Sequence, residues 1–343
     1  MALKPPVEVP QGAIRLNTDS QKLEFFAQDQ WWQMATDVPT LDGGARGIWF
    51  GGWDPGPSVG NVIDYITIPT AGNATDFGDL ISPTREMATG ASRVRGIAAG
   101  GAESPGPQED TNRIDYITIA STGNAANFGD LTVTVRGNTG ASNETRMVRS
   151  GGRPESQSPN PYKDVIDYIT IASTGDALDF GDLSGVRRLH SCCASPTRIL
   201  WWAGDTPGTD YLNIIEYNTI ATTGNVKDFG DCGPSSKGAA CSNSVRGIFS
   251  NGKDSQQLNK IEYVTIQTLG NAVDFGDLTR LHSQMGACSS PTRGVFGGGA
   301  VHPGYYDVID YISIATQGDA VDFGNLTVNK NYPAGCSNAH GGL

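Results

Sequence analysis

"IDYITI" occupies Ile63–Ile68 and "DFGDL" follows at 76–80. The pair returns five more times with small changes. Its tyrosine recurs as Tyr65, Tyr116, Tyr168, Tyr217, Tyr263 and Tyr311, at intervals of 51, 52, 49, 46 and 48 residues, each followed twelve residues later by a phenylalanine: Phe77, Phe128, Phe180, Phe229, Phe275 and Phe323. A period near fifty residues is a supersecondary unit rather than a helix pair or a heptad. Each unit divides into four strand-length runs, which in the last full copy read "GACSS", "RGVFGGG", "VIDYISI" and "AVDFGNL". The junctions carry the Gly, Asn and Asp that turns require. In "IDYITI" alternation puts Ile63, Tyr65 and Thr67 on one face and Asp64, Ile66 and Ile68 on the other. Both faces are apolar, so the strand is expected between two neighbouring sheets. A ring on every fourth strand would fill the wedge between units, contributing about 2–3 kcal/mol apiece.

Composition agrees. With 45 glycines and only 17% charged residues among 343, many short strands fit better than long helices. The expected fold class is all-β. A net charge of -12, with no basic run, argues against nucleic-acid partners. No stretch approaches the roughly 18 apolar residues of a membrane span, so no membrane insertion is expected. The opening "MALKPPVEVPQG" lacks the apolar segment of a signal peptide. Synthesis as a soluble chain in a cytoplasm is therefore the expectation. Cys193, Cys241, Cys288 and Cys336 fall at one repeat position where earlier units carry Ala91 and Ala141, which asks for a small buried residue and free thiols. Zinc spacing is absent, and none of His190, His282, His302 and His340 stands in a catalytic motif. No cofactor, metal or catalytic residue is expected.

The four-run unit resembles the kelch β-propeller repeat over residues 43–343. The resemblance rests on the glycine pairs Gly51–Gly52, Gly100–Gly101, Gly151–Gly152 and Gly298–Gly299, on the acid-tyrosine signature of the third run, on the aromatic of the fourth, and on a basic residue before the first run, read as Arg85, Arg136, Arg188, Lys237, Arg280 and Lys330. Phe stands where the family has Trp, and "AG" and "NG" replace two glycine pairs at 203 and 251. The resemblance implies a six-bladed propeller. The chain would enter it at "GGARGIWFGG", a second strand lacking a first, and leave it at "PAGCSNAHGG", a first strand lacking a second. Joined, they would complete the ring without exposed edges.

Repeated groups serve the ring, so Arg46, Arg95, Arg146, Arg198, Arg246 and Arg293 are expected to pair with acids such as Asp64 across unit boundaries. The "DFGD" motif lacks every other part of a kinase signature, and Asn73, Asp76 and Asp79 read as turn caps ahead of a calcium loop. Trp201 and Trp202, inside a second run, read as core. Function is expected where the units differ, in the loops between second and third runs. There Trp53, Tyr162, Tyr211, Tyr305 and Tyr306 are candidate ligand-binding residues, with packing of their own loops as the competing role.

Residues 1–42 lack the repeat. "GAIRLN" followed by "KLEFFAQDQWWQMA" reads as a hairpin turning at "TDSQ". Gly12, Ile14, Arg15, Asn17, Leu23, Glu24, Trp31 and Trp32 resemble the small modules that begin tail-fibre and appendage proteins of tailed bacteriophages. The resemblance implies virion attachment through Ile14, Phe25, Phe26, Trp31 and Trp32, with other virion proteins as partners, oligomerisation in the particle, and host-surface glycan or protein as a further partner. A cellular kelch-like adaptor explains the ring equally well, and a glycan-active enzyme is the third reading.

Overall fold

The computed structural model describes residues 9–17, 22–33, 44–54, 59–104, 109–154, 161–301 and 303–343. All secondary structure among them is β, without helix. The chain divides into two units, Met1–Leu41 and Asp42–Leu343.

The first unit is a three-stranded antiparallel sheet of Ile14–Asn17, Lys22–Ala27 and Gln30–Gln33, rather than a two-stranded hairpin. The expected turn at 18–21 lies outside the described residues. The long second run folds back on itself at Gln28 and Asp29, whose φ values of 53° and 58° are those a two-residue hairpin turn needs. No Asn-Gly or Asp-Gly marks this turn. Gln11 holds it instead, accepting the Gln28 N–H and donating to Asp29 Oδ1, both at 3.1 Å.

The second unit contains, among the described residues, six antiparallel sheets, each ordered first, second, third, fourth strand. Sheet 1 comprises Ala334–Ser337, Arg46–Trp53, Val59–Thr67 and Thr75–Asp79. Sheet 2 has Ala88–Ala91, Arg95–Glu103, Glu109–Thr118 and Ala126–Asp130, with Thr84–Arg85 also paired to its second strand. Sheet 3 has Thr139–Ser142, Arg146–Ser150, Val165–Thr170 and Leu178–Asp182. Sheet 4 has Ser191–Ala194, Arg198–Trp202, Leu212–Thr219 and Lys227–Ser235. Sheet 5 has Ala239–Ser242, Arg246–Ser250, Lys260–Thr265 and Val273–Asp277. Sheet 6 has Gly286–Ser289, Arg293–Gly297, Gly304–Ser313 and Val321–Lys330, with Ala300–Val301 folded onto its third strand. Sheet 1 joins the two ends of the repeat region: Gly335 pairs opposite Trp49 and Cys336 opposite Ile48. Each first strand neighbours the next, 2 to 3 through to 6, then 6 to 1 and 1 to 2, so the series returns to its start.

The core lies between the sheets. One cluster joins Ile48, Phe50, Ile63 and Phe77 of sheet 1 to Ala98, Ile117 and Ile119 around sheet 2, and equivalent clusters fill the other junctions. Trp201 and Trp202 are buried in two of them. The fixed offset of tyrosine and phenylalanine has its reason here. Their strands form a hairpin in which Tyr65 meets Phe77 edge-to-face at 5.8 Å, and the other five pairs repeat this within 5.8–6.2 Å. On each tyrosine face lies the second-strand arginine, Arg46 over Tyr65 at 5.0 Å and likewise around the series.

Among the described residues these arginines do not pair with acids as expected. Arg46 donates to the Ile119 carbonyl of sheet 2, Arg95 to Ile171, Arg146 to Ile220, Arg198 to Ile266, Arg246 to Ile314, and Arg293 back to Ile68. Each sheet is thereby tied to its successor by a charge-assisted hydrogen bond. A second tie lies at the rim. The "TxGNA" turn of each unit donates to the fourth strand of the unit before it: Gly123 N–H to Phe77 O, Ala125 N–H to Asp79 O, and finally Gly72 N–H to Phe323 O. The Asn or Asp after that glycine accepts from the same strand, Asn73 from Asn325 N–H at 3.1 Å. The turn therefore also covers part of the outer strand's free edge. The glycine of "DFGD" makes room for it. At Gly181 φ is 146°, and a Cβ there would stand 2.6 Å from the Gly224 carbonyl.

The buried acids of the third strand find a different partner in each unit. Asp64 pairs with Lys330 at 2.7 Å, Asp115 with Arg113 at 2.9 Å, Asp167 with Arg149, and Glu216 with Arg187. Glu262 accepts from Lys260 and Asn251, and Asp310 from Thr279. Lys330 thus serves an acid one sheet away, and the reading of Lys237, Arg280 and Lys330 as equivalents of Arg85 is corrected. The bridges formed by Arg136, Arg188, Ser236, Ser283 and Asn331 make these five the equivalents of Arg85. The cysteine position shifts as well: Cys336 pairs opposite Ile48 as Gly90, not Ala91, pairs opposite Ile97.

Candidate ligand face and axial pit

The second-to-third loops and the segments between fourth and first strands share one face of the second unit, and five aromatic residues were expected to bind there. All five are half-buried. Trp53 carries Arg85 on its ring at 4.3 Å, Tyr162 lies against Arg188 at 5.2 Å and Arg153 at 5.8 Å, and Tyr306 meets Arg280 at 5.2 Å. These three rings are already stacked on cations of the same face, mostly from the segments that lead into first strands. Among the described residues Tyr211 and Tyr305 have no such cation. The loop segments 55–58, 105–108 and 155–160, and His302, lie outside the described residues.

In the first unit the candidate attachment residues divide between two faces. Phe26 and Trp31 meet edge-to-face at 5.3 Å, with Arg15 over Trp31 at 4.1 Å and bonded to Glu24 at 2.8 Å. The other face carries Ile14 opposite Phe25, 63% and 37% exposed. Trp32 pairs opposite Phe25 in the backbone register.

Sequence reasoning missed a feature at the axis. Glu86, Gly137, Leu189, Lys237, Gln284 and Tyr332 stand one per unit just before the first strands, all with φ between 51° and 66°. Their backbones are hydrogen-bonded head to tail: Gly137 N–H to Glu86 O, Leu189 to Gly137, Lys237 to Leu189, Gln284 to Lys237, Tyr332 to Gln284, and Glu86 N–H to Tyr332 O at 3.5 Å. Only one is glycine, which is why no turn signal exposed the position. These six residues ring the mouth of a pit of about 110 Å³ floored by the small residues of the first strands.

Beyond the floor a second space of about 50 Å³ is lined by Cys193, Cys241, Cys288 and Cys336 and ends at His340. The thiols are free and buried. Burial pushes Cys241 and Cys336 up to about 12, so they stand as protonated thiols and poor nucleophiles at neutral pH. His340 donates from Nε2 to the Ala91 carbonyl at 2.8 Å. Beside it Gly341 backs onto Asn243 and Gly342 onto Ser142, so closely that neither place has room for a Cβ.

Charge at the mouth is uneven. Arg85 is paired with Glu86, and Arg188 with Asp205 at 3.1 Å. Lys237 is half-buried, and its ammonium has no hydrogen bond or ion pair among the described residues. Burial, then the neighbouring Lys253, pushes its pKa down. Burial pushes the Tyr332 phenol up, so it keeps its proton. His190 and His282 are sealed in the core, and burial first, then nearby arginines, holds both below the usual imidazole value, His282 at about 4.

Compared with protein-family models the chain matches none, and no curated protein matches it.

Proposed function

We propose that the second unit is a six-bladed, kelch-like β-propeller, and that the chain is a structural protein of a bacteriophage particle, a tail fibre or appendage or a capsid decoration, that carries this ring outward. The observation carrying the ring is that the junction of sheet 6 with sheet 1 repeats the contacts of the other five, down to Arg293 on the Ile68 carbonyl and Gly72 on the Phe323 carbonyl. A ladder open at its ends would leave those donors to water. The first unit is read as the attachment module. Its resemblance to tail-fibre openings supports this, as does a small sheet with Ile14 and Phe25 bare on one face, since three strands of this length bury too little to need such residues for themselves. Its partners are other virion proteins, and the loop face meets the host surface. The reading includes no catalytic step.

The test is immunogold microscopy of particles from the producing lysate, with antibody raised against residues 44–343. Label on tail or capsid is the expected result. Label confined to cell debris, with none on particles, returns the chain to the adaptor reading.

A further inference from the structure

The ring of mouth residues is costly as built. A non-glycine residue in the left-handed region is strained relative to glycine, and five of the six positions carry one. Position 137 is glycine with the same φ and the same hydrogen bonds, so the backbone belt does not call for side chains. The side chains at the other five are an acid, a leucine, an amine, an amide and a phenol at the rim of one pit. They are retained against strain at a place where units otherwise alike have become different.

Their free hydrogen-bonding capacity is mostly of one kind. Glu86 is neutralised by Arg85, and Asp205 by Arg188. Gln284 Nε2 donates to the Tyr332 hydroxyl at 2.7 Å, which leaves the phenolic proton to be given elsewhere, and no acceptor for it is present among the described residues. Lys237 offers its ammonium beside Lys253. The pit thus presents uncommitted donors, Lys237 foremost, with the nearby acids Glu86 and Asp205 each held by an arginine, in a chain whose net charge is -12. What fits is a small anion with acceptor oxygens.

We propose that the axial pit binds the carboxylate of an acidic sugar residue, with Lys237 and the Tyr332 hydroxyl as its donors and the Gln284 amide within reach of adjoining hydroxyls. A cavity of about 110 Å³ admits one carboxylate-bearing end rather than a whole oligosaccharide. The backbone belt argues for a sugar over a peptide acid. All six rim N–H groups are already given to rim carbonyls, so an extended peptide would find no main-chain donors on the rim. This rests on the loop-face reading of the ring but not on its being carried by a particle.

The full chain is titrated with glucuronate, glucose and N-acetylglutamate methylamide, followed by saturation-transfer NMR and calorimetry. Glucuronate is expected to bind, glucose about tenfold or more weakly, and Lys237→Met to lose at least about tenfold of the glucuronate affinity while unfolding at an unchanged or higher temperature. Tyr332→Phe, which removes only the hydroxyl, is expected to weaken binding with no change in fold and serves if Lys237→Met is poorly behaved. Equal binding of glucose and glucuronate, no binding of either, or an unaffected Lys237→Met overturns the site. Tighter binding of the glutamate derivative overturns the sugar assignment. Glucuronate binding by a protein that immunogold fails to find on particles refutes the virion reading and leaves the pit standing.

Discussion

A volume exchange runs across the sheet boundaries and can be tested by double-mutant cycles. The first-strand position of Cys336, Gly90, Ala141, Cys193, Cys241 and Cys288 packs over the residue after the second-strand arginine in the next sheet. Where it is cysteine that residue is glycine: Gly96, Gly247, Gly294 and Gly47. Where it is Gly90 the partner is Met147, and where it is Ala141 the partner is Ile199. A Cβ placed on Gly294 would stand 2.6 Å from Cys241 Sγ and 3.2 Å from Ile312 Cγ1, over 1 Å inside ordinary contact with the sulfur. Cys241 is 4% exposed, and its strand is hydrogen-bonded to its neighbours, so the overlap is poorly relieved. Gly294→Ala is therefore expected to cost about 2 kcal/mol as overpacking. Cys241→Ala, which removes one buried sulfur, should cost about 1 kcal/mol. If the two positions share one volume, the double variant should cost about 1 kcal/mol rather than the additive ~3, a coupling near 2 kcal/mol. Urea unfolding followed by tryptophan fluorescence, with thermal melts shifting by roughly 2 °C per kcal/mol, reads all four corners of the cycle. Additivity within about 0.5 kcal/mol, or a neutral Gly294→Ala, refutes the exchange.

Three further outcomes follow from the same packing. Ala203 has φ 55° where four equivalent positions are glycine, so Ala203→Gly is expected to raise stability by about 0.5–1 kcal/mol; a lower melting temperature would count against strain there. His282 and His340 are both held at about 4 in the fold, chiefly by burial, against an unfolded 6.5. The unfolded chain thus binds more protons on acidification, and stability present above pH 6.5 is lost as pH falls towards 4. At pH 5 the loss is about 2 kcal/mol per imidazole, and a melting temperature unchanged from pH 7.5 to 5 would exclude it. The five buried thiols should ignore a disulfide reagent in the native protein and react together on unfolding, with half-buried Cys232 the first to be modified; rapid native labelling of Cys241 or Cys288 would contradict their packing.

The all-β class, the four-strand unit and the pairing of the two ends were legible because each is written as period, and period survives the loss of any single residue. What each repeated residue does was less legible. Arginine beside a buried acid invites an ion pair, yet Arg46 prefers a neighbouring carbonyl and its own tyrosine, because the third-strand acid faces into the sheet interior where other cations reach it. The turn at Gln28 and Asp29 carried no glycine, and neither did five of the six mouth residues. Left-handed backbone without glycine is invisible to turn rules, and these are the positions where side chains are kept at a conformational cost.

The contrast between constant and changing contacts separates what holds the six sheets together from what differs between them. The ties that repeat at all six junctions end on backbone: arginine on a carbonyl, turn N–H on a fourth-strand carbonyl, Asn or Asp oxygen on a backbone N–H. A backbone group is the same whatever its side chain, so these ties put no demand on the neighbour's identity. The buried acids are bound to side chains instead, and there the partner differs from unit to unit. Mouth residues belong to the first kind through their backbones, while of their side chains Glu86 is held by Arg85 and Gln284 by Tyr332. Leu189 and Lys237 occupy the same belt with the same bonds, and exchanging one for the other alters what the pit presents without breaking a tie between sheets.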